Sequence, residues 1–175
     1  MKAPRFIPNV ITKVSPAEMY DALWDAWKAK FDETPKKASL FLLLAQWAIE
    51  TAEGASMHCF NPGNAKSVPG DGRSWTNFRC WEVIKGLTVW FDPPHPQTRF
   101  RAFETLEEGA ADYLAMLHKR FHLSWPAVIA GNPEEFAVLL RKQDYFTADP
   151  TQYGKALRLR FTNYDRTITT AIYDD

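Results

Sequence analysis

The sequence predicts a mostly helical α+β domain with a small antiparallel β lobe inserted after a central helix. Capping signals mark several helix starts, one helical segment is apolar on nearly all sides, and turn clusters separate short β-prone segments in the middle of the chain. The 175 residues, of which 46% are hydrophobic, suffice for one core, and neither a repeat nor a linker divides them. We therefore expect residues 1–175 to form a single domain.

Two helices are predicted in the first third of the chain. A capping box at Ser15–Glu18 opens the first helix, which we expect to end near Phe31. The second helix is predicted over residues 34–53, with Gly54 as its stop. Because residues 38–49 are apolar almost all round, this second helix should be the buried centre of the domain.

The β lobe is predicted within residues 54–103, where turn-forming residues alternate with short β-prone segments. The expected strands are residues 74–78, 80–84, 87–91 and 98–103. Helices then return, each opened by a capping residue or a proline at its first turn. Their predicted ranges are 105–121, 124–131, 132–141 and 149–168.

Charge and hydropathy argue against two classes of function. Lys plus Arg and Asp plus Glu both number 21, so the basic surplus of a dedicated nucleic-acid binder is missing. The longest apolar run, residues 40–45, is far shorter than the ~20 residues of a membrane-spanning helix, so no membrane insertion is expected. Residues 1–5 lead into no apolar signal-peptide core, and we expect synthesis in the cytoplasm.

Glu50 is the first candidate for a catalytic residue. It follows the apolar run and shares a helical stripe with Gln46 and Trp47. A carboxylate at the end of a buried helix is partly desolvated, which raises its pKa toward the value that a general acid needs near neutral pH. The alternative is a glutamate that emerges into solvent in the last helical turn.

A second carboxylate is needed if the reaction is glycoside hydrolysis. The candidates in the β region are Glu82, Asp71 and Asp92. Trp75, Trp81 and Trp90 belong to the same region, and indole rings beside carboxylates suit a carbohydrate groove because sugar C–H faces pack on aromatic rings. The alternative is that these tryptophans cover the core from one side.

Five segments, weak one by one, carry a more specific pattern through their order. They are Gln46-Trp47-Ala48-Ile49-Glu50-Thr51-Ala52-Glu53-Gly54, Asn61-Pro62-Gly63-Asn64-Ala65-Lys66, Cys80-Trp81-Glu82-Val83-Ile84-Lys85-Gly86, Phe100-Arg101-Ala102-Phe103-Glu104-Thr105-Leu106-Glu107-Glu108-Gly109, and Tyr145-Phe146-Thr147-Ala148-Asp149-Pro150 with Tyr153. In this order they resemble the motifs of peptidoglycan N-acetylglucosaminidases of glycoside hydrolase family 73 and of flagellar-rod muralytic domains. Residues 1–34 carry no motif of that family, and Ala52, Glu53 and Cys80 depart from its pattern.

The resemblance implies a lysozyme-like fold, in which a helical body and a β lobe flank a groove. It implies that Glu50 is the general acid and that Glu82 is the second carboxylate. Together with the aromatic residues, it predicts the substrate-binding set Asn64, Trp75, Trp81, Phe146 and Tyr153.

The implied activity is a bacteriolytic peptidoglycan hydrolase that cleaves β-1,4 bonds of the glycan backbone, as an endo-N-acetylglucosaminidase. A muramidase or lytic transglycosylase on the same fold stays open, as does a non-catalytic wall-binding module of a phage or secretion apparatus. No metal or organic cofactor is expected. The protein would act on the cell wall, by a route and with delivery or immunity partners that the sequence does not identify.

The two cysteines, Cys59 and Cys80, flank the turn-rich loop near the expected groove. Twenty-one positions apart, they could close that loop with a disulfide in an oxidising compartment, whereas they would stay reduced in the cytoplasm. With His58 and His95 they match no common zinc-ligand spacing, so no metal site is predicted.

Overall fold

A computed structural model describes residues 3–146 and 148–173 and confirms the α+β architecture, with the strands inserted after the central helix. The described residues form six α-helices and four short strands. The helices are α1 (Pro16–Phe31), α2 (Lys37–Thr51), α3 (Leu106–Lys119), α4 (Trp125–Ala130), α5 (Pro133–Lys142) and α6 (Pro150–Tyr173). The strands are β1 (Trp75–Asn77), β2 (Cys80–Ile84), β3 (Leu87–Phe91) and β4 (Arg99–Arg101).

The start of α1 follows from its capping box. The Ser15 hydroxyl accepts a hydrogen bond from the Glu18 amide, and the Glu18 carboxylate accepts one from the Ser15 amide. Two of the amides that a helix start leaves unpaired are satisfied in this way. The sequence prediction for this helix is therefore confirmed at both ends.

Helix α2 is buried at the centre of the body, as predicted, and it packs against α1, α4 and α6. It is shorter than the predicted range 34–53 at both ends. At its C-terminus, Ala52 and Glu53 already adopt left-handed backbone angles, and both of their amides donate to the carbonyl of Ala48. The helix therefore ends at Thr51, three residues before the glycine that the sequence suggested as its stop.

The β lobe consists of two separate antiparallel pairs among the described residues. β1 pairs with β4, and Thr76 lies opposite Phe100. β2 and β3 form a hairpin, in which Trp81 lies opposite Trp90 and Glu82 opposite Val89. No ladder of backbone hydrogen bonds therefore connects the hairpin to the β1–β4 pair in the described residues.

An N-terminal arm, residues 3–14, runs along the β lobe and was not predicted. The Ile7 amide donates to the Trp75 carbonyl, and the Trp75 amide donates to the Arg5 carbonyl. Further along, the Cys59 amide donates to the Val10 carbonyl. These bonds give the arm backbone partners that lie about 50 to 70 residues away in the chain.

The disulfide that the cysteine spacing allowed is absent, because Cys59 and Cys80 are both free thiols. The buried Cys59 thiol donates to the carbonyl of Pro8 in the arm, at 3.5 Å. The Cys80 thiol donates to the carbonyl of Gln97, at 3.2 Å. Each sulfur therefore has its own backbone partner, and the loop between them is held by other contacts.

None of the helices in the described part of the chain is long and apolar enough to cross a membrane.

Candidate active site

A cleft of about 790 Å³ lies against the end of α2. Its walls are the loop after α2, the β2–β3 hairpin with the two residues before it, residues 97 and 100 near the start of β4, the C-terminal end of α3, and the connection between α5 and α6. Its polar lining side chains include Glu50, His58, Asn64, Lys66, Arg79, Glu82, Gln97, Arg120, Asp144 and Tyr145. The fold thus brings the two predicted catalytic carboxylates, Glu50 and Glu82, to one cleft.

Glu50 sits in the last turn of α2, where the helix leaves the core and reaches the cleft. Burial raises the pKa of its carboxyl group from 4.5 to about 7. The Tyr153 hydroxyl of α6 donates a hydrogen bond to Glu50 Oε1 at 2.9 Å, which opposes part of this rise in pKa. The group therefore carries a proton in a large fraction of molecules at neutral pH, as a general acid must.

Two buried polar side chains, Gln46 and Tyr113, hold Tyr153 in place behind Glu50. The Gln46 amide nitrogen donates to the Tyr153 hydroxyl at 3.4 Å, and the Tyr113 hydroxyl donates to the Gln46 amide oxygen at 2.6 Å. Burial raises the pKa of Tyr113 and of Tyr153 well above the usual value, so both phenols remain protonated donors. We call this chain of hydrogen bonds, Tyr113–Gln46–Tyr153–Glu50, the tyrosine relay.

Glu82 lies in β2 and points its carboxylate toward Lys66, from the loop after α2. Lys66 Nζ is 3.2 Å from Glu82 Oε1. The same ammonium group donates to the Gln97 carbonyl at 2.6 Å and lies 4.0 Å from the centre of the Phe100 ring. Lys66 therefore connects the hairpin to the base of the β lobe and fixes the position of the Glu82 carboxylate.

The other two carboxylate candidates lie outside the lining of the cleft. Asp92 forms an ion pair with Arg79, with 3.1 Å between Asp92 Oδ1 and Arg79 Nε. Asp71 accepts hydrogen bonds from the amides of Val68 and Arg73 and closes a loop of the β lobe. Both carboxylates are therefore engaged in contacts within the β lobe, outside the cleft.

The predicted substrate-binding residues divide into two groups. Asn64 and Trp81 line the cleft, but Trp75, Phe146 and Tyr153 do not. Trp75 lies 3.8 Å below the Arg99 guanidinium and is contacted edge-on by Phe6. The Phe146 ring packs against that of Tyr153 at 4.6 Å, so these two support Glu50 from behind. Thr147, in the same motif, lies outside the described residues.

Sequence reasoning missed Tyr113 and Lys66 as parts of the site. Tyr113 comes from α3, where its spacing is that of an ordinary core residue. Lys66 is the last residue of the motif from Asn61 to Lys66. Its place in that motif was the one signal in the sequence for a role in the site. No group of three His, Cys, Asp or Glu side chains that could hold a metal ion occurs in residues 3–146 and 148–173.

No protein-family model and no curated protein matches this sequence. Solved structures do match it. A peptidoglycan hydrolase from Sphingomonas sp. A1 is 23% identical, with a TM-score of 0.57 over 84% of this chain and 87% of that one. The glycoside hydrolase domain of Salmonella typhimurium FlgJ is 17% identical, with a TM-score of 0.56 over 90% of this chain and 93% of that one.

The catalytic domain of the autolysin Auto from Listeria monocytogenes is a third match. It is 15% identical, with a TM-score of 0.58 over 86% of this chain and 82% of that one. The chain has the fold of these hydrolases. The lysozyme-like architecture implied by the sequence motifs is therefore confirmed, and Glu50 lies at the end of the central helix of that fold.

Proposed function

We propose that this protein is a glycoside hydrolase that cleaves β-1,4 bonds in the glycan backbone of peptidoglycan, as an endo-N-acetylglucosaminidase. The observation that carries the proposal is Glu50, a cleft carboxyl group whose pKa is raised to about 7 by burial. The structures that share this fold are named as peptidoglycan or glycoside hydrolases, which supports the choice of substrate. The protein would act on the bacterial cell wall and would be bacteriolytic there.

Glu50 would act as the general acid. Tyr153 donates to its Oε1 atom, so the other carboxyl oxygen is the one left to carry the proton. Transfer of this proton to the glycosidic oxygen makes that oxygen a neutral leaving group while the bond to the anomeric carbon breaks. The carboxylate that results keeps the hydrogen bond from Tyr153, which stabilises its charged form.

Glu82 would act at the anomeric carbon, across the sugar from Glu50, by activating a water molecule or by stabilising the oxocarbenium ion. In a second route, the acetamido group of the substrate is the nucleophile and Glu82 only assists. A separation between the two carboxyl groups of roughly 6.5–9.5 Å corresponds to the inverting water attack, and we propose a gap at or above that range. Substrate then closes the gap, because catalytic geometry often tightens only on binding.

The released fragments identify the bond that is cut. Digestion of purified sacculi followed by mass spectrometry should give fragments with a reducing-end N-acetylglucosamine. A reducing-end N-acetylmuramic acid would instead identify a muramidase, and an anhydro end would identify a lytic transglycosylase. Binding to sacculi without any release of fragments would identify a non-catalytic wall-binding module.

Replacement of Glu50 tests the general acid directly. Glu50→Gln is nearly isosteric and should leave the fold intact, while the rate of sacculus digestion falls by about 10²–10⁴-fold. Glu53→Gln is the matched control, because Glu53 is three residues away and pairs with Arg160 of α6, outside the lining of the cleft. Digestion by Glu50→Gln within a few-fold of the unsubstituted protein would show that the assignment is wrong.

A further inference from the structure

One face of the β2–β3 hairpin carries two tryptophans that the proposed reaction does not require. Trp81 and Trp90 lie directly opposite each other across the two strands, so both side chains are on the same face. Because successive residues of a strand alternate, this face is turned away from the one that carries Glu82. The side chains are 54% and 52% exposed, and we call them the tryptophan pair.

The surroundings of the tryptophan pair are charged and hold one ring in place. The Arg79 guanidinium lies 4.4 Å from the centre of the Trp90 ring, and Arg79 is itself paired with Asp92 at 3.1 Å. This arrangement orients the Trp90 ring before any ligand arrives, which lowers the entropy cost of binding. The result is two exposed indole rings on one hairpin face, one of which has a guanidinium group over its ring.

The tryptophan pair reaches the cleft through Trp81 alone, because the face that carries both rings is opposite the one that carries Glu82. Trp81 lines the cleft together with Cys80 and Glu82 of the same strand, and Trp90 is the next ring across the hairpin. A volume of about 790 Å³ is within the usual size for a small-molecule site, so it accommodates only a short part of a polymer. A long glycan strand must therefore continue over a neighbouring surface.

We infer that the tryptophan pair binds the glycan strand beyond the cleft, by stacking of sugar C–H faces on the two indole rings. This inference rests on the proposed function, because the polymer in the cleft identifies the occupant. A protein partner is a poorer fit, since a stable interface covers about 800 Å² on each side and two rings beside Arg79 and Asp92 provide much less apolar area. Sugar rings, with apolar faces and hydroxyl edges, match exposed indole rings beside the Arg79–Asp92 ion pair.

Kinetics on substrates of two lengths test the inference. The substrates are isolated long glycan strands and a soluble fragment of two disaccharide units. Trp90→Ala should raise KM about two- to tenfold more for the long strands than for the fragment. Trp90→Tyr should retain most of the affinity for long strands, because it keeps an aromatic face. The control is Leu159→Ala in α6, which removes an even more exposed apolar side chain (68%) on an element outside the β lobe.

The inference is wrong if Trp90→Ala changes KM equally for both substrates, or if Trp90→Tyr is as impaired as Trp90→Ala. Co-sedimentation with sacculi, measured for Glu50→Gln with and without Trp90→Ala, separates this result from the proposed function. Weaker sedimentation on loss of Trp90 supports a glycan surface even if the unsubstituted protein releases no fragments, which would contradict only the proposed function. If Trp90→Ala abolished binding to vesicles of anionic phospholipid but left sedimentation with sacculi unchanged, the tryptophan pair would be a lipid-binding surface and the inference would be overturned.

Discussion

At the scale of single residues, the environment of Glu50 makes a carboxyl group suitable for acid catalysis near neutral pH. Burial raises the pKa of Glu50 to about 7, and the hydrogen bond from Tyr153 keeps this rise smaller than burial alone would make it. In the proposed role of Glu50 as general acid the protonated form is the active one, so the rate should be highest below the pKa and should fall as the pH rises through about 7. The tyrosine relay thus orients the Glu50 carboxyl group, and in the proposed role it would also set the pH range of activity.

Removal of the Tyr153 hydroxyl should change both properties. In Tyr153→Phe, the carboxylate loses a donor that favours its charged form, so the pKa of Glu50 rises further. We expect the alkaline limb of kcat/KM to move up by about one pH unit and kcat to fall about tenfold, because the acid is no longer held in one orientation.

Full pH–rate profiles on soluble glycan fragments measure this shift. Tyr164→Phe is the matched control, since that hydroxyl of the same helix donates to Glu53 instead. An alkaline limb that stays in place in Tyr153→Phe would mean that this hydrogen bond does not tune Glu50.

At the scale of elements, the β2–β3 hairpin delivers Glu82 to the cleft but depends on Lys66 for its position. Lys66 belongs to the loop after α2 and contacts Glu82, Gln97 and the Phe100 ring. The hairpin itself makes few contacts with the helices, so this ammonium group is one of its main attachments. The site is therefore assembled from a rigid helix end and a hairpin held by a side-chain contact.

Glu82→Gln should lower kcat about tenfold, which is less than the loss for Glu50→Gln, because water attack can still proceed without full activation. Lys66→Met should lower kcat by a similar factor, since it keeps the apolar stem over Phe100 but releases the Glu82 carboxylate. The double variant should be no worse than either single one, because both changes remove the same interaction.

Lys85→Met provides the control, as it removes a positive charge at the exposed turn of the same hairpin. Fully additive losses for the Lys66 and Glu82 substitutions would contradict a shared role. A structure of a substrate complex in which Asp92 faces Glu50, with Glu82 turned away, would transfer the second role to Asp92.

At the scale of the whole molecule, a partly buried charge network joins the β lobe to the helical body. Asp112 of α3 accepts hydrogen bonds from Arg101 of β4 at 2.6 Å and from Arg73 at 2.5 Å. The Arg101 and Asp112 side chains are only 9% and 13% exposed, so each charge relies on the other. The network holds the lobe against α3 and so maintains the walls of the cleft.

Asp112→Asn should lower the free energy of unfolding by about 3 kcal/mol, because it removes the closer counter-ion of the buried Arg101 charge and leaves the more distant Asp71, 3.9 Å away. Urea denaturation measures the change. Glu134→Gln is the control, since Glu134 pairs with Arg158 on the surface and its loss should cost less than about 1 kcal/mol. A loss in Asp112→Asn as small as in the control would show that the network contributes little.

The sequence by itself determined the order and type of the elements and the location of the general-acid candidate. The start of α1 depends on hydrogen bonds between Ser15 and Glu18, and the burial of α2 depends on the apolar residues that make up almost its whole surface. Both signals act within a few residues of each other, so they can be recognised along the chain. The position of Glu50 follows from them, because it stands at the end of the apolar run.

Only the tertiary structure decided what surrounds Glu50 and what the β lobe attaches to. The hydrogen bonds of the tyrosine relay join side chains 67 to 107 positions apart, and the N-terminal arm pairs with strand β1 about 70 positions away. Cys59 and Cys80 each bond a carbonyl from elsewhere in the chain, so their spacing alone suggested a disulfide that does not form. Hydrogen bonds and ion pairs of this kind leave no periodic pattern in the sequence, because their partners meet only after the helices and strands have packed.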